Sequence, residues 1–182
     1  MEAPAGRVIR DYLGHALRVG GPPGSTPPAA ACDAGTPVAT RELCADLAHG
    51  LAAQRARLNG DHDAALAQAE ALTMRVPYQF AGRSAFFART RGRFLRAQLL
   101  EEAGRDSEAY RWYASLAQGA RMDYVFLAPS HLGRGRISER RGDHSQAAGH
   151  YRKALELWRD ADPEVEAMRE EARQGLARTE GR

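Results

Sequence analysis

Apolar residues recur at helical spacing along most of the chain, and turn residues interrupt them at steady intervals. No stretch alternates between apolar and polar residues as a half-buried strand would. The pattern therefore predicts an all-α protein. The predicted helices of its main part cover residues 40–58, 61–73, 84–102, 106–118, 128–141, 144–159 and 163–179.

The N-terminal part of the chain has a different character. Residues 6–19 place apolar side chains on one helical face, which predicts a short amphipathic helix. A run of glycine and proline follows, and the next residues are rich in proline, glycine, serine and alanine, a composition typical of a flexible linker. We divide the chain into an N-terminal helix at 1–19, a linker at 20–38 and a helical repeat domain at 39–182.

Three segments of the repeat domain align on a glycine between two helices. Small residues on either side of that glycine let the two helices approach closely, and a larger residue later in the second helix fills the gap against the next pair. A single pair cannot bury its apolar face, so the pairs must stack. The aligned positions are Ala53, Ala97 and Gly135 before the turn, Gly60, Gly104 and Gly142 in the turn, and then Ala65, Ala109 and Ala147, Ala69, Tyr113 and Tyr151, and Leu72, Leu116 and Ala154.

These positions resemble the tetratricopeptide repeat, a helix pair with small and large residues at fixed offsets. The third segment, RGDHSQAAGHYRKAL, fits best. The turn glycines lie 44 and 38 residues apart, a longer spacing than the ~34 residues of that repeat. The proline that commonly closes a unit is missing after Leu155 and comes only at Pro163. The resemblance implies an α-solenoid of about three helix pairs, with the last helix packing as a cap on Leu155 and Trp158.

The chain from about Ala53 to its end also resembles the C-terminal repeat region of bacterial multidomain proteins. In those proteins such arrays follow a serine/threonine kinase domain or a transcription-regulator domain. The strings that carry this likeness are RFLRAQLLEEAGRDSEAYRWYASLA and YVFLAPSHLGRGRISERRGDHSQAAGHYRKALELWRDADPE. The chain has no H-R-D catalytic loop, no D-F-G and no glycine-rich loop with a following lysine. The resemblance therefore implies the repeat array alone, as a free-standing protein or as a regulatory fragment of a larger one.

Composition favours a soluble protein, with 43% hydrophobic and 27% charged residues. No window approaches the apolar length of a membrane span, and arginine and aspartate interrupt the region that a signal peptide would need. We therefore expect a cytoplasmic protein with no membrane partner. Cys32 and Cys44 are the only cysteines and lack metal-type spacing, so we expect two free thiols in a reducing compartment.

No residue set predicts catalysis, a cofactor or a metal. The segment 20–26 lacks the lysine of a phosphate loop and contains two prolines. The six histidines form no H-E-x-x-H motif and no pair four residues apart on one helix. Acidic residues cluster at turns, where they cap helices. We expect a binding protein and not an enzyme, with no cofactor and no metal.

The feature that most favours a particular partner is a run of arginines without a nearby acidic residue. Between Ala71 and Leu100 the chain has six arginines and neither aspartate nor glutamate. The first helix of each tetratricopeptide pair lines a concave groove, so the resemblance implies that some of these arginines face a partner. An acidic peptide or a C-terminal carboxylate suits them, because arginine binds a carboxylate through two hydrogen bonds. The residues expected to contact the partner are Arg89, Arg91, Gln98, Arg136 and Arg140.

Two other interpretations of the arginines stay open. Lys153 is the sole lysine and alanine is heavily used, a composition typical of GC-rich coding bias, so the arginines could form a solvated surface. They could also bind the phosphates of a nucleic acid, which predicts an affinity that falls steeply with salt. A protein or peptide partner is favoured over a nucleic acid.

Overall fold

A computed structural model describes residues 38–73, 89–117 and 123–181. Within these ranges the chain forms seven α-helices and no strand, which confirms the all-α prediction. The helix predicted at 6–19 and nearly all of the predicted linker lie outside the described residues. The helices are α1 (Val38–Leu58), α2 (His62–Glu70), α3 (Arg89–Glu102), α4 (Asp106–Ala114), α5 (Tyr124–Arg140), α6 (His144–Leu157) and α7 (Glu166–Glu180).

The chain divides into two compact units, Met1–Gly92 and Arg93–Arg182. The first unit contains the hairpin of α1 and α2, and the second contains most of α3 and all of α4 to α7. Short 3-10 turns at Ser115–Ala117 and Pro163–Val165 follow α4 and precede α7. No helix in the described ranges combines the length and the apolar character that crossing a bilayer requires.

The three predicted glycine turns have the same backbone geometry. Gly60, Gly104 and Gly142 have φ angles of 78°, 72° and 77°, a region that residues with a side chain rarely adopt. In the third turn the glycine N–H donates to the Glu139 carbonyl at 3.0 Å, and the next N–H donates to the Ser138 carbonyl at 3.0 Å. The other two turns repeat this pair of bonds, which ends the first helix of each hairpin.

Aspartate caps the second helix in two of the three hairpins. Asp61 accepts a hydrogen bond from the Ala64 N–H at 3.0 Å, and Asp143 accepts one from the Gln146 N–H at 3.0 Å. Each bond satisfies a backbone donor that the first helical turn leaves without a partner. Arg105 occupies the same position before α4 and makes no such bond.

Two helices of the second unit start at other residues than predicted. α5 begins at Tyr124, four residues before the predicted start, so that Pro129 lies inside the helix and not in its first turn. Because proline has no N–H, the Val125 carbonyl loses its helical partner. The helix predicted to start at Pro163 begins there only as a 3-10 turn, and the α-helix itself starts at Glu166. Asp162 before the turn is extended, with φ −60° and ψ 156°, and its side chain makes no capping hydrogen bond.

The small residues predicted to bring paired helices together are fully buried. All five alanines of this kind are 0% exposed, which confirms the alignment at these positions. A larger side chain at any of them would separate the helices of its hairpin. The five are Ala53, Ala65, Ala97, Ala109 and Ala147.

The large residue of the repeat fills a space that glycines leave open. Tyr113 and Tyr151 are 1% and 0% exposed. A methyl group added at Gly133 would lie 2.5 Å from Cε2 of Tyr113, and one added at Gly135 would lie 2.7 Å from Cε1 of Tyr151. Gly175 in α7 faces the same Tyr151 ring just as closely. These glycines are therefore needed for space, because the tyrosine rings occupy the volume that a side chain would take.

The last helix covers the end of the second unit as predicted. Trp158 is 6% exposed and belongs to a buried cluster that includes Ala172 of α7. Leu155, Met168 and Leu176 pack against that cluster and are partly buried. The contact removes from water the apolar face that α6 would otherwise expose.

The hairpin of the first unit has an aliphatic core closed by a polar contact. Leu43, Leu47 and Leu51 of α1 are 1%, 7% and 3% exposed. Asp46 is 8% exposed, and its Oδ1 accepts hydrogen bonds from the backbone N–H of Thr73 at 2.8 Å and from its hydroxyl at 3.1 Å. The carboxylate thus fixes the chain that leaves α2 against α1.

The prediction of a free thiol at Cys44 is wrong. Cys44 is 5% exposed and is disulfide-bonded. Cys32 lies outside the described residues. Sequence spacing could not reveal the bond, because a disulfide depends on how closely two Cα atoms approach in space.

Candidate functional site

A tyrosine, a glutamate and an arginine from three helices of the second unit form a partly buried polar contact. The Tyr113 hydroxyl of α4 donates to Oε2 of Glu101 in α3 at 2.8 Å. Arg140 of α5 donates to the other oxygen of the same carboxylate at 3.2 Å, and it also holds Asp106 at 2.6 Å. The tyrosine thus belongs to one hairpin and the arginine to the next, so that the contact joins the two. We call this set a tyrosine clamp.

A second tyrosine clamp follows at equivalent positions. The Tyr151 hydroxyl of α6 donates to Oε2 of Glu139 in α5 at 2.7 Å. Arg178 of α7 donates to both oxygens of this carboxylate, at 2.7 and 3.1 Å. Each member lies 38 residues after its counterpart, the spacing of the last two turn glycines. The side-chain network therefore repeats along with the backbone.

The first clamp is extended by Arg136, which holds the same glutamate more tightly. Both oxygens of Glu101 accept hydrogen bonds from Arg136 at 2.7 Å, and the remaining nitrogen of that guanidinium donates to Glu171 at 3.0 Å. Burial alone would raise the pKa of Glu101, but the hydrogen bonds and charge of Arg136, with Tyr113 and Arg140, hold it below its ordinary value. The carboxylate is therefore ionised at neutral pH and joins helices α3, α4 and α5.

The five predicted partner-binding residues fall in both units. Arg91 belongs to the first unit, and Gln98, Arg136 and Arg140 belong to the second. The structure brings Arg136 and Arg140 together on one carboxylate, and both Arg91 and Gln98 already have interactions of their own. The Arg89 side chain is not among the described ones. A carboxylate of a partner would have to compete for these groups, and their role in binding stays a prediction.

Two other arginines of the acid-poor run stabilise local packing. Arg93 donates to the Ser115 carbonyl at 2.8 Å and to the Asp123 carboxylate at 2.5 Å. The Arg96 guanidinium lies over the Trp112 ring, 4.7 Å from its centroid. The Asp123 carboxylate that pairs with Arg93 lies 30 residues later in the chain. The sequence around Arg93 therefore contains only positive charges, although Arg93 is paired in the structure. These two arginines therefore do not form a freely solvated surface.

A polar cluster that the sequence did not predict connects α4, α5 and α6. Nδ1 of His131 lies 3.1 Å from Nδ1 of His150, whose Nε2 lies 3.0 Å from the Tyr110 hydroxyl. That hydroxyl accepts from Arg134 at 3.1 Å and donates to Gln146 at 3.0 Å. These distances fit one assignment of the ring protons. Nε2–H of His150 donates to the Tyr110 hydroxyl oxygen, and Nδ1 of His150 accepts a hydrogen bond from Nδ1–H of His131.

Both histidines of this cluster are neutral at pH 7. Burial, followed by the charges of Arg134 and Lys153, lowers the pKa of His131 to about 4. Burial, Arg134 and the neighbouring histidine lower the pKa of His150 to about 4, and Asp143 opposes the shift. Within the described residues, no group of three or more histidine, cysteine, aspartate or glutamate side chains could hold a metal ion. The two rings lie on separate helices, so no spacing along one helix could have predicted the pair.

A groove of about 510 Å³ opens where α5 begins, α6 ends and the 3-10 turn precedes α7. Three large apolar side chains that line it are solvent-exposed: Tyr124 is 67% exposed, Val125 59% and Leu157 40%. Ala128 and Trp158, each 6% exposed, also line it and connect it to the core. Exposed apolar residues gathered in one groove are typical of a site that another molecule covers.

Three carboxylates also line this groove, and we call it the acidic groove. Asp160, Asp162 and Glu164 are exposed and take part in no ion pair among the described residues. Ala161 between them is drawn into the core, so its acidic neighbours are turned outwards. Arg159 lines a smaller adjoining hollow of about 260 Å³. The arrangement can bind apolar side chains and positive charge together.

The acidic groove was missed because its residues lie at the ends of helices. The repeat pattern directs attention to helix centres, where the apolar positions recur every three or four residues. Tyr124 and Val125 precede the predicted start of their helix, and Leu157 follows the aligned repeat positions.

Comparisons with models of protein families, with curated proteins and with solved structures found no match to this chain.

Proposed function

We propose that this chain is a tetratricopeptide-like α-solenoid that acts as a protein-binding scaffold. The observation that carries the proposal is the repetition of the tyrosine clamp, with Tyr113 and Tyr151 held by the same set of groups. Each clamp ties one helix pair to the next helix, so that the exposed faces are held in a fixed relation. Stacked pairs of this kind form extended surfaces that suit a peptide or a partner domain.

Two surfaces of the second unit are candidates for the contact. One is the face of the first helices, where the sequence predicted partner contacts at Arg136 and Arg140. The other is the acidic groove, where apolar side chains are exposed at Tyr124, Val125 and Leu157. The groove supports the proposal more directly, because covering exposed apolar area contributes to association without breaking existing ion pairs.

The charges of the second unit favour a protein partner over a nucleic acid. Arg93, Arg136, Arg140 and Arg178 each pair with a carboxylate of the same unit. Nucleic-acid binding depends on positive side chains that can reach phosphates. The ion pairs of these arginines reduce the positive charge that is available for phosphates.

The sequence and the structure point to different redox environments for the protein. The sequence favours the cytoplasm, which keeps thiols reduced, whereas Cys44 is disulfide-bonded. Blocking free thiols in intact cells before lysis, and then labelling the purified protein with and without reduction, would show whether the bond forms in the cell.

Site-specific photocrosslinking tests the scaffold function. A photoreactive amino acid is placed in turn at Tyr124, Arg140 and Ala177, which are all exposed positions of the second unit. Irradiation of the full chain in native lysate should give discrete protein adducts from at least one position and none from another. The absence of a discrete protein adduct from all three would overturn the proposal.

A further inference from the structure

The acidic groove differs from the rest of the second unit in the state of its carboxylates. Elsewhere in the unit glutamates are matched by arginine, as Glu101 is by Arg136 and Glu139 is by Arg178. The carboxylates of the groove are exposed and form no ion pair among the described residues, and they number three against the single nearby Arg159. Among the described residues, the groove therefore carries an excess of negative charge that no ion pair neutralises.

The same groove exposes an apolar strip that the described residues of the unit leave uncovered. Tyr124 and Val125 lie in the first turn of α5, and Leu157 is the last residue of α6. Consecutive residues of one helix and the end of its neighbour thus present their apolar side chains to one concave space. Because these side chains are exposed to water, covering them would be favourable.

We propose that the acidic groove binds a basic amphipathic helix of a partner protein. Its apolar face would contact Tyr124, Val125 and Leu157, and its lysine or arginine residues would lie against the three carboxylates. This inference rests on the proposed scaffold function and specifies the partner class for one of its surfaces. A helix suits the space because apolar residues three and four apart form one strip flanked by charged ones.

The groove fits a segment of chain better than a small molecule. Its volume of about 510 Å³ would hold a small ligand. However, its apolar lining is largely exposed, with Tyr124 at 67% and Val125 at 59%, so it does not enclose what it holds. A helix laid across the opening covers these side chains while its own polar face stays in water.

One of the carboxylates has no evident structural task. Asp162 and Glu164 lie at the start of the turn that leads into α7, where negative charge also stabilises the helix N-terminus. Asp160 follows the end of α6, where a negative charge is unfavourable to the helix dipole. A positively charged group of a partner, bound beside Asp160, would offset that unfavourable interaction.

Two probe peptides of opposite charge test the inference. Each is about 14 residues long, or about 21 Å as a helix, with leucine on one face and either lysine or glutamate on the other. The full chain is titrated against each labelled peptide by fluorescence anisotropy. We expect the lysine peptide to bind and the glutamate peptide to bind at least about tenfold more weakly. Equal binding of the two would overturn the proposal.

A matched pair of triple variants locates the binding site. Asp160→Asn with Asp162→Asn and Glu164→Gln should weaken binding of the lysine peptide about tenfold. The control, Glu166→Gln with Glu170→Gln and Glu180→Gln, removes the same charge from exposed carboxylates of α7 and should change binding by no more than about twofold. Thermal unfolding of both variants checks the fold. Equal losses in the two variants would show a general charge effect and overturn the assignment.

A third variant and a size measurement separate the remaining outcomes. Leu157→Ser should also weaken binding of the lysine peptide, since it removes part of the apolar strip. If sedimentation shows instead that the groove holds a second copy of the chain and the peptide does not bind, the proposed partner class is wrong. If the peptide fails to bind but photocrosslinking still yields adducts, only the groove assignment fails. If both fail, the scaffold function fails with it.

Discussion

The hairpin of the first unit and the hairpins of the second have the same turn but differ in the residues around it. Nine residues after its glycine the first hairpin has Ala69, where the second unit has Tyr113 and Tyr151. Three residues before the glycine it has Arg57, where the second unit has glutamate. The first hairpin therefore keeps the close approach of its helices, with Ala53 at 0% exposure, but it lacks two members of the clamp.

The difference separates two tasks that a repeat performs. A hairpin can close with only a glycine in the turn and small residues beside it, and the hairpins of both units close in this way. Holding one pair against the next needs a large side chain, and in the second unit it also uses a buried carboxylate and an arginine from the following helix. The first hairpin instead uses short polar contacts within itself, such as Nδ1 of His49 to Oε1 of Gln68 at 2.8 Å.

Removing a clamp tyrosine should have the largest effect on stability. Tyr151→Ala leaves a cavity between Gly135 and Gly175 that neither glycine can fill, and we expect a loss of about 3–5 kcal/mol in the free energy of unfolding. Ala69→Gly in the first hairpin should cost only about 1 kcal/mol. Urea unfolding followed by circular dichroism measures both changes.

Tyr151→Phe is the control for this comparison. It keeps the ring and removes only the hydrogen bond to Glu139, so we expect a loss of about 1 kcal/mol. A loss as large as that of Tyr151→Ala would mean that the hydrogen bond, and not the packing of the ring, holds the pairs together.

The members of the clamp also show which features of the structure could be predicted from the sequence and which could not. The turn glycines and the buried alanines could be predicted because backbone conformation and close approach restrict those positions to a few residue types. The glutamate and arginine could not, because Glu101 and Arg140 are 39 residues apart and many charged residues separate them. Which carboxylate an arginine finds depends on helix packing, and so Arg136 and Arg140 looked available when they were already paired.

The two clamp glutamates should differ in their contribution to stability. The Glu101 side chain is 9% exposed and holds two arginines, whereas that of Glu139 is 21% exposed and holds one. Glu101→Ala leaves Arg136 half-buried with only Glu171 as a partner, and we expect a loss of about 3 kcal/mol. Glu139→Ala should cost about 1 kcal/mol, because water reaches its arginine more easily.

Chemical unfolding of both variants at neutral pH checks this difference. Arg178→Gln serves as a control, since it removes the arginine of the second clamp and should match Glu139→Ala. Equal losses for the two glutamates would mean that the deeper burial of Glu101 adds nothing to the stability of the first clamp.

Acid should destabilise the second unit through its two histidines. The folded protein holds the pKa of His131 and of His150 at about 4, below the ordinary value of 6.5. As the pH falls below 6.5 the unfolded chain therefore binds protons first, so stability is complete above that pH and is lost between 6.5 and about 4. The full shifts of the two rings would correspond to a loss of about 4 kcal/mol between about pH 7 and pH 5. Because water reaches both rings in part, we expect a loss of about 2 kcal/mol.

The double variant His131→Gln with His150→Gln should remove most of this pH dependence. Glu101 does not interfere, because its pKa lies below 4.5 and its contribution is lost only at lower pH. A double variant with the pH dependence of the natural protein would contradict the assignment to these two rings.

The smallest expected effect tests whether the turns of the two units are equivalent. Gly60→Ala and Gly142→Ala each place a side chain at a φ near 78°, with open space around the added methyl group, so strain is the only cost. We expect each to lose about 1 kcal/mol. Gly149→Ala, at a helical position that also has open space, should instead gain about 0.5–1 kcal/mol. A smaller loss at Gly60 than at Gly142 would mean that the first turn relaxes, because no clamp holds the hairpin that it closes.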